Sequence, residues 1–518
     1  MSTSIHEQHD VTRAEVEEKA KLQKHFGRFD ILFFLICTLV GVDTIGTVAS
    51  SGAEAFTWMA ILAVIFFIPS ALLFAELGSA FPEEGGPYVW ARLAFGRLAG
   101  AINNFLYWIT NPVWLGGSLA TLAAFTFGKF FLHQDEGLDG AAWYVFTLIF
   151  VWVGVLAAIL SFQVGKWIPT IGAWARFVLL GGFTIAVILY AIQNGIHGFG
   201  FGDFGVTYPG FIALVGVLMF NFVGFELPSS AGDEMTDPQK DVPFGIFRAA
   251  IAAIFLYGLP ILGILLVLPT DQVTSLGGFV DAIQSVFTVF GGSVSTSADG
   301  ALVVELTGMG MILGDFAALL FIICLLTSGV TWIMGSDRAL AVSAFDGAGP
   351  RSLGVISAKF GTPVRVNILS GVIATIVLLA TRYFVGDNTS RAFTAVLGLA
   401  ISTTLISYLL IFPALAVLRR RLPKVDRPYK APWPTFISAL LTILILFASI
   451  QLFLPGLGVD WFGDDYRPDG WEAGEGMTFL VTNLVPLILF ILLGVIFYAL
   501  GAKTRRDVVV PGDEHVPV

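Results

Sequence analysis

Apolar runs of membrane-crossing length dominate this chain, and two of them are interrupted at matching places. About 20 mostly apolar residues span about 30 Å of hydrocarbon, and windows of that kind give twelve segments. Their cores are Ile31–Ala49, Trp58–Leu77, Leu98–Phe125, Trp143–Phe162, Ile168–Ala191 and Phe211–Ala231, then Gly245–Leu268, Met311–Met334, Val366–Ala380, Phe393–Leu418, Phe436–Leu454 and Phe479–Leu500. The first is broken by Gly41-Val42-Asp43-Thr44-Ile45-Gly46, the sixth by Phe222-Val223-Gly224-Phe225-Glu226-Leu227-Pro228. Glycine, proline and a lone acid are poor material for a continuous membrane helix. Backbone that leaves the helical ladder at that depth survives only where protein or a water-filled cavity satisfies it. Paired interruptions in two halves of a polytopic chain point to a transporter's substrate site. The pattern predicts an all-α polytopic membrane protein of twelve helices that moves a small polar molecule.

Composition agrees: of 518 residues, 56% are hydrophobic and 13% charged, against about 25% charged in soluble domains. The net charge of −10 carries no expectation of nucleic acid, because the acids lie mainly in loops. Cys37 and Cys324 fall inside apolar segments, which argues against a structural disulfide or a metal site. Residues 1–28 are polar and end in Lys19, Lys21, Lys24 and Arg28. No cleavable signal follows, and the stretch reads as a cytoplasmic arm. With twelve spans, Arg92, Arg97, Lys166, Arg338, Arg351, Arg419-Arg420-Arg421, Lys430 and Arg505 share a side with both termini, and the opposite loops hold only Lys129, Arg382, Arg391 and Arg467. This asymmetry predicts a cell-membrane protein with both termini cytoplasmic. The expected division is an arm at 1–28, a transport core at 29–418, two further helices within 419–501 and a cytoplasmic tail at 502–518. If the architecture repeats, the core splits into inverted halves at about 29–192 and 208–418. The loop Gly335–Pro363 is expected to contain a short helix around Arg338–Phe345.

Four stretches at the basic side carry a specific resemblance. They are Glu76-Leu77 through Phe81-Pro82 to Gly85-Gly86-Pro87-Tyr88, then Asp233-Glu234 through Asp237-Pro238 to Lys240-Asp241-Val242-Pro243, then Ser336-Asp337-Arg338 through Asp346-Gly347 to Gly361-Thr362-Pro363, and Arg427-Pro428-Tyr429-Lys430-Ala431-Pro432. In this order they resemble the amino acid–polyamine–organocation superfamily of permeases over nearly the whole chain. The resemblance implies the LeuT-type fold: two inverted five-helix repeats, broken helices one and six, two appended helices, and alternating access. The Gly-Gly-Pro and Asp-Pro turns also read as plain loop architecture, pinned by fixed dihedrals.

A helix break frees N–H groups that favour anions and carbonyls that favour cations. An α-amino acid offers one of each. Its carboxylate is expected against Thr44, Ile45 and Gly46, near Gly41 and Thr47, and its ammonium against carbonyls of Phe222, Val223 and Gly224. The resemblance implies the same arrangement. Asp43 and Glu226 are unusual extras, since an acid in a span normally faces a cavity or a partner. Asp43 has three open readings: a helix cap, a substrate contact, or a proton carrier. Together the two acids are suited to a second amine, as in a basic amino acid or a diamine. Arg176 in the fifth span resembles the cation that replaces sodium in sodium-independent members of the superfamily, and a snorkelling arginine is the alternative. Asn103, Asn104, Tyr107 and Asn111 form a polar stripe on the third span, and Asn104 and Tyr107 are candidates to line the cavity together with Asp315 and Trp332. Phe220, Phe222, Phe225 and Trp332 are candidate gates. No histidine lies in a span, so a proton route would use carboxylates.

The chain therefore reads as a secondary permease for amino acids, working by proton symport or exchange, with polyamine transport as the alternative. No phosphate-cradling loop and no catalytic constellation at membrane depth is present, so neither an enzyme nor a cofactor is expected. The expected partners are the cargo, protons and the lipid bilayer. A non-transporting sensor is the rival of a different class.

Overall fold

A computed structural model describes residues 12–507, apart from 23, 25, 165–166, 197–200, 270–271, 297–301, 386–388, 462, 464–470 and 473. Lys166, Arg467, the first eleven residues of the arm and residues 508–518 of the tail lie outside the described residues. Among the described residues, ten helices are long and apolar enough to cross a membrane. They make this a multi-pass membrane protein. The other two of the twelve predicted spans are present in less regular form. The third runs through Arg97–Trp114, a π-helical turn at Leu115–Leu119, and Ala120–Phe131. Its buried Asn103, Asn104, Thr110 and Asn111 dilute its apolar character. The sixth, Tyr208–Asn221, stops at its interruption.

Both breaks are real. The first span is helical over Arg28–Leu39, leaves the helix at Val40, is extended at Gly41, makes a single 3-10 turn at Val42–Thr44, and is helical again over Ile45–Ala49. The sixth ends at Asn221, passes through Gly224 at φ +122°, and resumes as a 3-10 helix over Leu227–Glu234. Only glycine adopts that φ at little cost. A Cβ there would also sit 3.1 Å from the Trp332 ring.

One loop expectation needs correction. The helix expected around Arg338–Phe345 is no separate element, because the eighth span continues without a break over Gly308–Ser343. The apolar window closed at Met334 because Ser336, Asp337 and Arg338 follow, yet all three are buried. Asp337 accepts from Trp108 Nε1 (2.8 Å), Ser370 Oγ (2.7 Å) and Asn367 Nδ2 (2.6 Å), so the polar run stays inside the helix. The long loop after the seventh span also adds sheet to an otherwise helical chain. It holds a helix, Gly278–Phe287, and an antiparallel pair, β1 (Gly292–Thr296) with β2 (Leu302–Leu306).

Candidate functional site

The two breaks meet. Thr44 Oγ1, in the first, donates to Asn221 Oδ1 at the end of the sixth span's first helix (2.8 Å) and lies 3.0 Å from the Tyr257 hydroxyl of the seventh. Tyr257 in turn donates to the Gly41 carbonyl. Polar groups freed by one broken helix are thus satisfied by the other and by a neighbour, as burial requires.

Between them lies a cavity of about 20 Å³ lined by Thr38, Gly41, Asp43, Trp114, Phe220, Asn221, Tyr257, Trp332 and Thr404. That is room for one water-sized group. Asp43 is 2% exposed. Its Oδ2 accepts from Trp114 Nε1 (2.8 Å), and its Oδ1 has no hydrogen-bond partner. No side chain caps either helical piece beyond the break, so the capping role expected as one reading of Asp43 is not what the carboxylate does. Trp114 stands edge-to-face with Phe220 (6.0 Å) and with Trp332 (6.4 Å), so aromatic rings wall the cavity.

Glu226 is differently placed. Its Oε1 accepts from Tyr107 (2.9 Å) and its Oε2 from the Gly224 N–H (3.2 Å). Its carboxylate is occupied by the protein and ties the third span across the break of the sixth. Arg176 is wholly buried. Its guanidinium donates to the Val40 carbonyl at the first break (2.7 Å), to Gly172 O (2.8 Å), Thr327 Oγ1 (3.3 Å) and Cys324 O (3.1 Å), and to Ser328 Oγ. Every N–H of the fork is used by a neutral oxygen. The side chain joins spans one, five and eight and does not snorkel.

The remaining candidates divide. Gly41, Phe220 and Trp332 line the cavity with Asp43. Ile45, Phe222 and Val223 are packed into the core, Phe222 against Phe67 (4.9 Å). Gly46 is pressed against the loop after the seventh span, where a Cβ would meet Ser275 O at 3.0 Å. Thr47 donates to the same carbonyl (3.4 Å). The structure thus puts Gly46 and Thr47 against a loop, outside the lining of the cavity that holds Asp43. Asn104 does not line the cavity and holds the eighth span through Ala339 O (2.9 Å). Asp315 lies outside the cavity lining. Trp114, Asn221 and Tyr257 were not anticipated. Trp114 was within reach, since it follows Asn111 by three residues on the polar stripe. Tyr257 sits alone in an apolar helix and gave no signal.

A larger cavity of about 570 Å³ opens on the face away from the termini, lined by Thr47, Ser50, Val217, Gly398 and Ile401 among others. Val217 and Ile401 lie one helical turn from Asn221 and Thr404 of the small cavity. The terminal face is closed instead, and by the four stretches behind the resemblance. Arg338 pairs with Glu84 (2.9 Å) and Glu234 (2.7 Å), and Arg92 with Asp346 (2.7 Å). Glu76 binds Arg419 through both oxygens (2.6 Å each) and accepts from the Ala431 N–H (2.7 Å). Scattered motifs in the chain form one ion-pair seal in space.

Comparison with known proteins fits this geometry. The sequence profile described as amino acid permease matches residues 26–461. The chain is 28% identical to an uncharacterized transporter of Legionella pneumophila, over 82% of this chain and 89% of that one. It is 26% identical to the probable agmatine/putrescine antiporter AguD of Lactococcus lactis (84% and 89% covered). To the branched-chain amino acid permease BcaP of Bacillus subtilis it is 24% identical (86% and 91% covered). The LeuT-type architecture that the motifs implied, with helices one and six broken, accords with this match. The chain belongs to the amino acid permease family.

Proposed function

We propose that the protein is a secondary transporter that carries amino acids or amines across the cytoplasmic membrane by alternating access. One observation carries the reading: two interrupted helices face each other across a buried polar cavity that holds a carboxylate with a free oxygen. The relatives' names, an agmatine/putrescine antiporter and a branched-chain amino acid permease, bracket the cargo class. The distribution of Lys and Arg supports cytoplasmic termini, which makes the sealed face the cytoplasmic one and the open vestibule the outer one. We assign residues 29–192 and 208–418 as the two repeats.

Arg176 supports sodium independence. Its guanidinium binds the Val40 carbonyl and the Thr327 and Ser328 hydroxyls. Those oxygens are of the kind a sodium ion would need. Coupling then falls to protons, carried by carboxylates, or to exchange of one cargo for another. The test is counterflow in proteoliposomes loaded with unlabelled amino acids or amines, with sodium replaced by choline. Uptake of labelled cargo unchanged by the replacement is expected. Absence of counterflow across the whole panel would overturn the transport reading, and strict sodium dependence would overturn the role given to Arg176.

A further inference from the structure

We infer that Asp43 docks the ammonium of the cargo, and that the preferred cargo is a primary amine without an adjacent carboxylate. This rests on the transport reading above and names its substrate class. Two acids stand at the breaks, but only one is free to act. Both oxygens of Glu226 are taken, by Tyr107 and by the Gly224 N–H. Asp43 keeps Oδ1 without a partner while Trp114 holds Oδ2 in place. Arg176 does not neutralise it by contact, because the guanidinium's donors are spent on neutral oxygens. A buried charge with an open oxygen, lining a space of one water's size, matches the dimensions and the three donors of an ammonium group. The rings of Trp114, Phe220 and Trp332 wall the same space.

The same arrangement disfavours a carboxylate. The N–H groups at Thr44–Gly46, where an α-carboxylate would ordinarily be held, follow Asp43 directly in the chain. An anion there would lie beside a buried carboxylate in a medium that screens poorly. Gly46 is moreover packed against Ser275 and Thr274. The one other unpartnered buried group lining the cavity is Asn221 Nδ2. It is a neutral donor, sufficient for a hydroxyl or a water and a weak substitute for a helix start. The vestibule begins one turn farther along the same helices, at Val217 and Ile401, on the side toward which the carbon chain of an amine docked at Asp43 would extend.

Matched pairs test this in the unmodified protein: arginine against agmatine, lysine against cadaverine, ornithine against putrescine. Each amine is expected to bind about tenfold or more tightly than its parent amino acid, read as thermal-shift titrations and as competition in counterflow. In Asp43→Asn the preference should collapse toward equality while the protein still folds, since the amide keeps the shape and can still accept from Trp114. Parent amino acids binding as well as their amines would overturn the inference and leave transport standing. So would an Asp43→Asn protein that keeps the preference. Silence toward every compound in both panels would overturn the transport reading along with it.

Discussion

Glu234 shows what one buried side chain does to the seal. It shares Arg338 with Glu84, with Asp233 close by. Burial pushes its carboxyl up to about 7, against the pull of Arg338, and Glu84 is raised beside it for the same first reason. An acid whose pKa is raised by folding withholds stability above that pKa and returns it as pH falls through it. The sealed form should therefore gain stability between about pH 8 and pH 6, where Glu234 takes up a proton that a water-exposed carboxylate would bind only near its ordinary value of about 4.3. The thermal midpoint of purified protein should rise over that interval. In Glu234→Gln, which is neutral at every pH, the rise should shrink. A midpoint that drops on acidification, or a slope the substitution leaves untouched, would contradict this account. Sequence alone marked Glu234 as part of a motif. It did not place Arg338, some hundred residues on, against it.

At the scale of elements, the arm is tied to the rest of the protein. Its helix, Arg13–Lys19, begins at Thr12, whose hydroxyl caps the first turn and donates to Phe345 O (2.7 Å). Glu18 accepts from Lys21 (2.6 Å), Arg351 (3.0 Å) and the Ile356 N–H (2.8 Å). Burial would raise its carboxyl, but these partners outweigh it and hold it below the usual range. Lys19 lies near Glu15, Glu83 and Asp233 (3.1, 3.9 and 3.7 Å). The arm thus bridges loops that follow the second, sixth and eighth spans. Glu18→Ala removes hydrogen bonds to charged groups worth about 1.5–3 kcal/mol each, and so should free the arm before it unfolds the membrane core. Limited proteolysis should then cut between Thr12 and Leu22 at least about tenfold faster, a ratio equivalent to about 1.4 kcal/mol, with the membrane fragment intact. Equal cleavage of both proteins would mean that Glu18 holds nothing in place. The eighth span makes the same point from the other side. Its polar continuation looked like a loop, because burial with partners is invisible in a hydropathy window.

The whole molecule is asymmetric across its thickness: ion pairs close the face bearing the termini, and a vestibule of about 570 Å³ opens the other. An alternating-access carrier in this state admits small reagents from one side only. Gly398 tests this well, since it lines the vestibule and a Cβ there would meet open space. A Gly398→Cys protein in intact cells should react with a membrane-impermeant thiol reagent added outside. Ser343→Cys, on the sealed side and fully buried, should not. The native Cys37 and Cys324 are buried and supply little background. The opposite pattern would reverse either the orientation or the state.

Segment length and apolarity are local properties, so the spans, the two breaks and the bias of Lys and Arg toward one side could be read from the chain alone. So could the identity of the four motifs, whose turn chemistry is written in Gly, Pro and Asp. What the acids do could not. Asp43 and Glu226 look alike in the sequence, each a lone carboxylate at a helix break. The packing of the third span brings Trp114 to one and Tyr107 to the other, from 71 and 119 residues away. The fold of the sixth break then turns the Gly224 N–H onto the second oxygen of Glu226, while the second oxygen of Asp43 stays open. A buried charge is defined by what satisfies it, and those neighbours are assembled only when the helices pack.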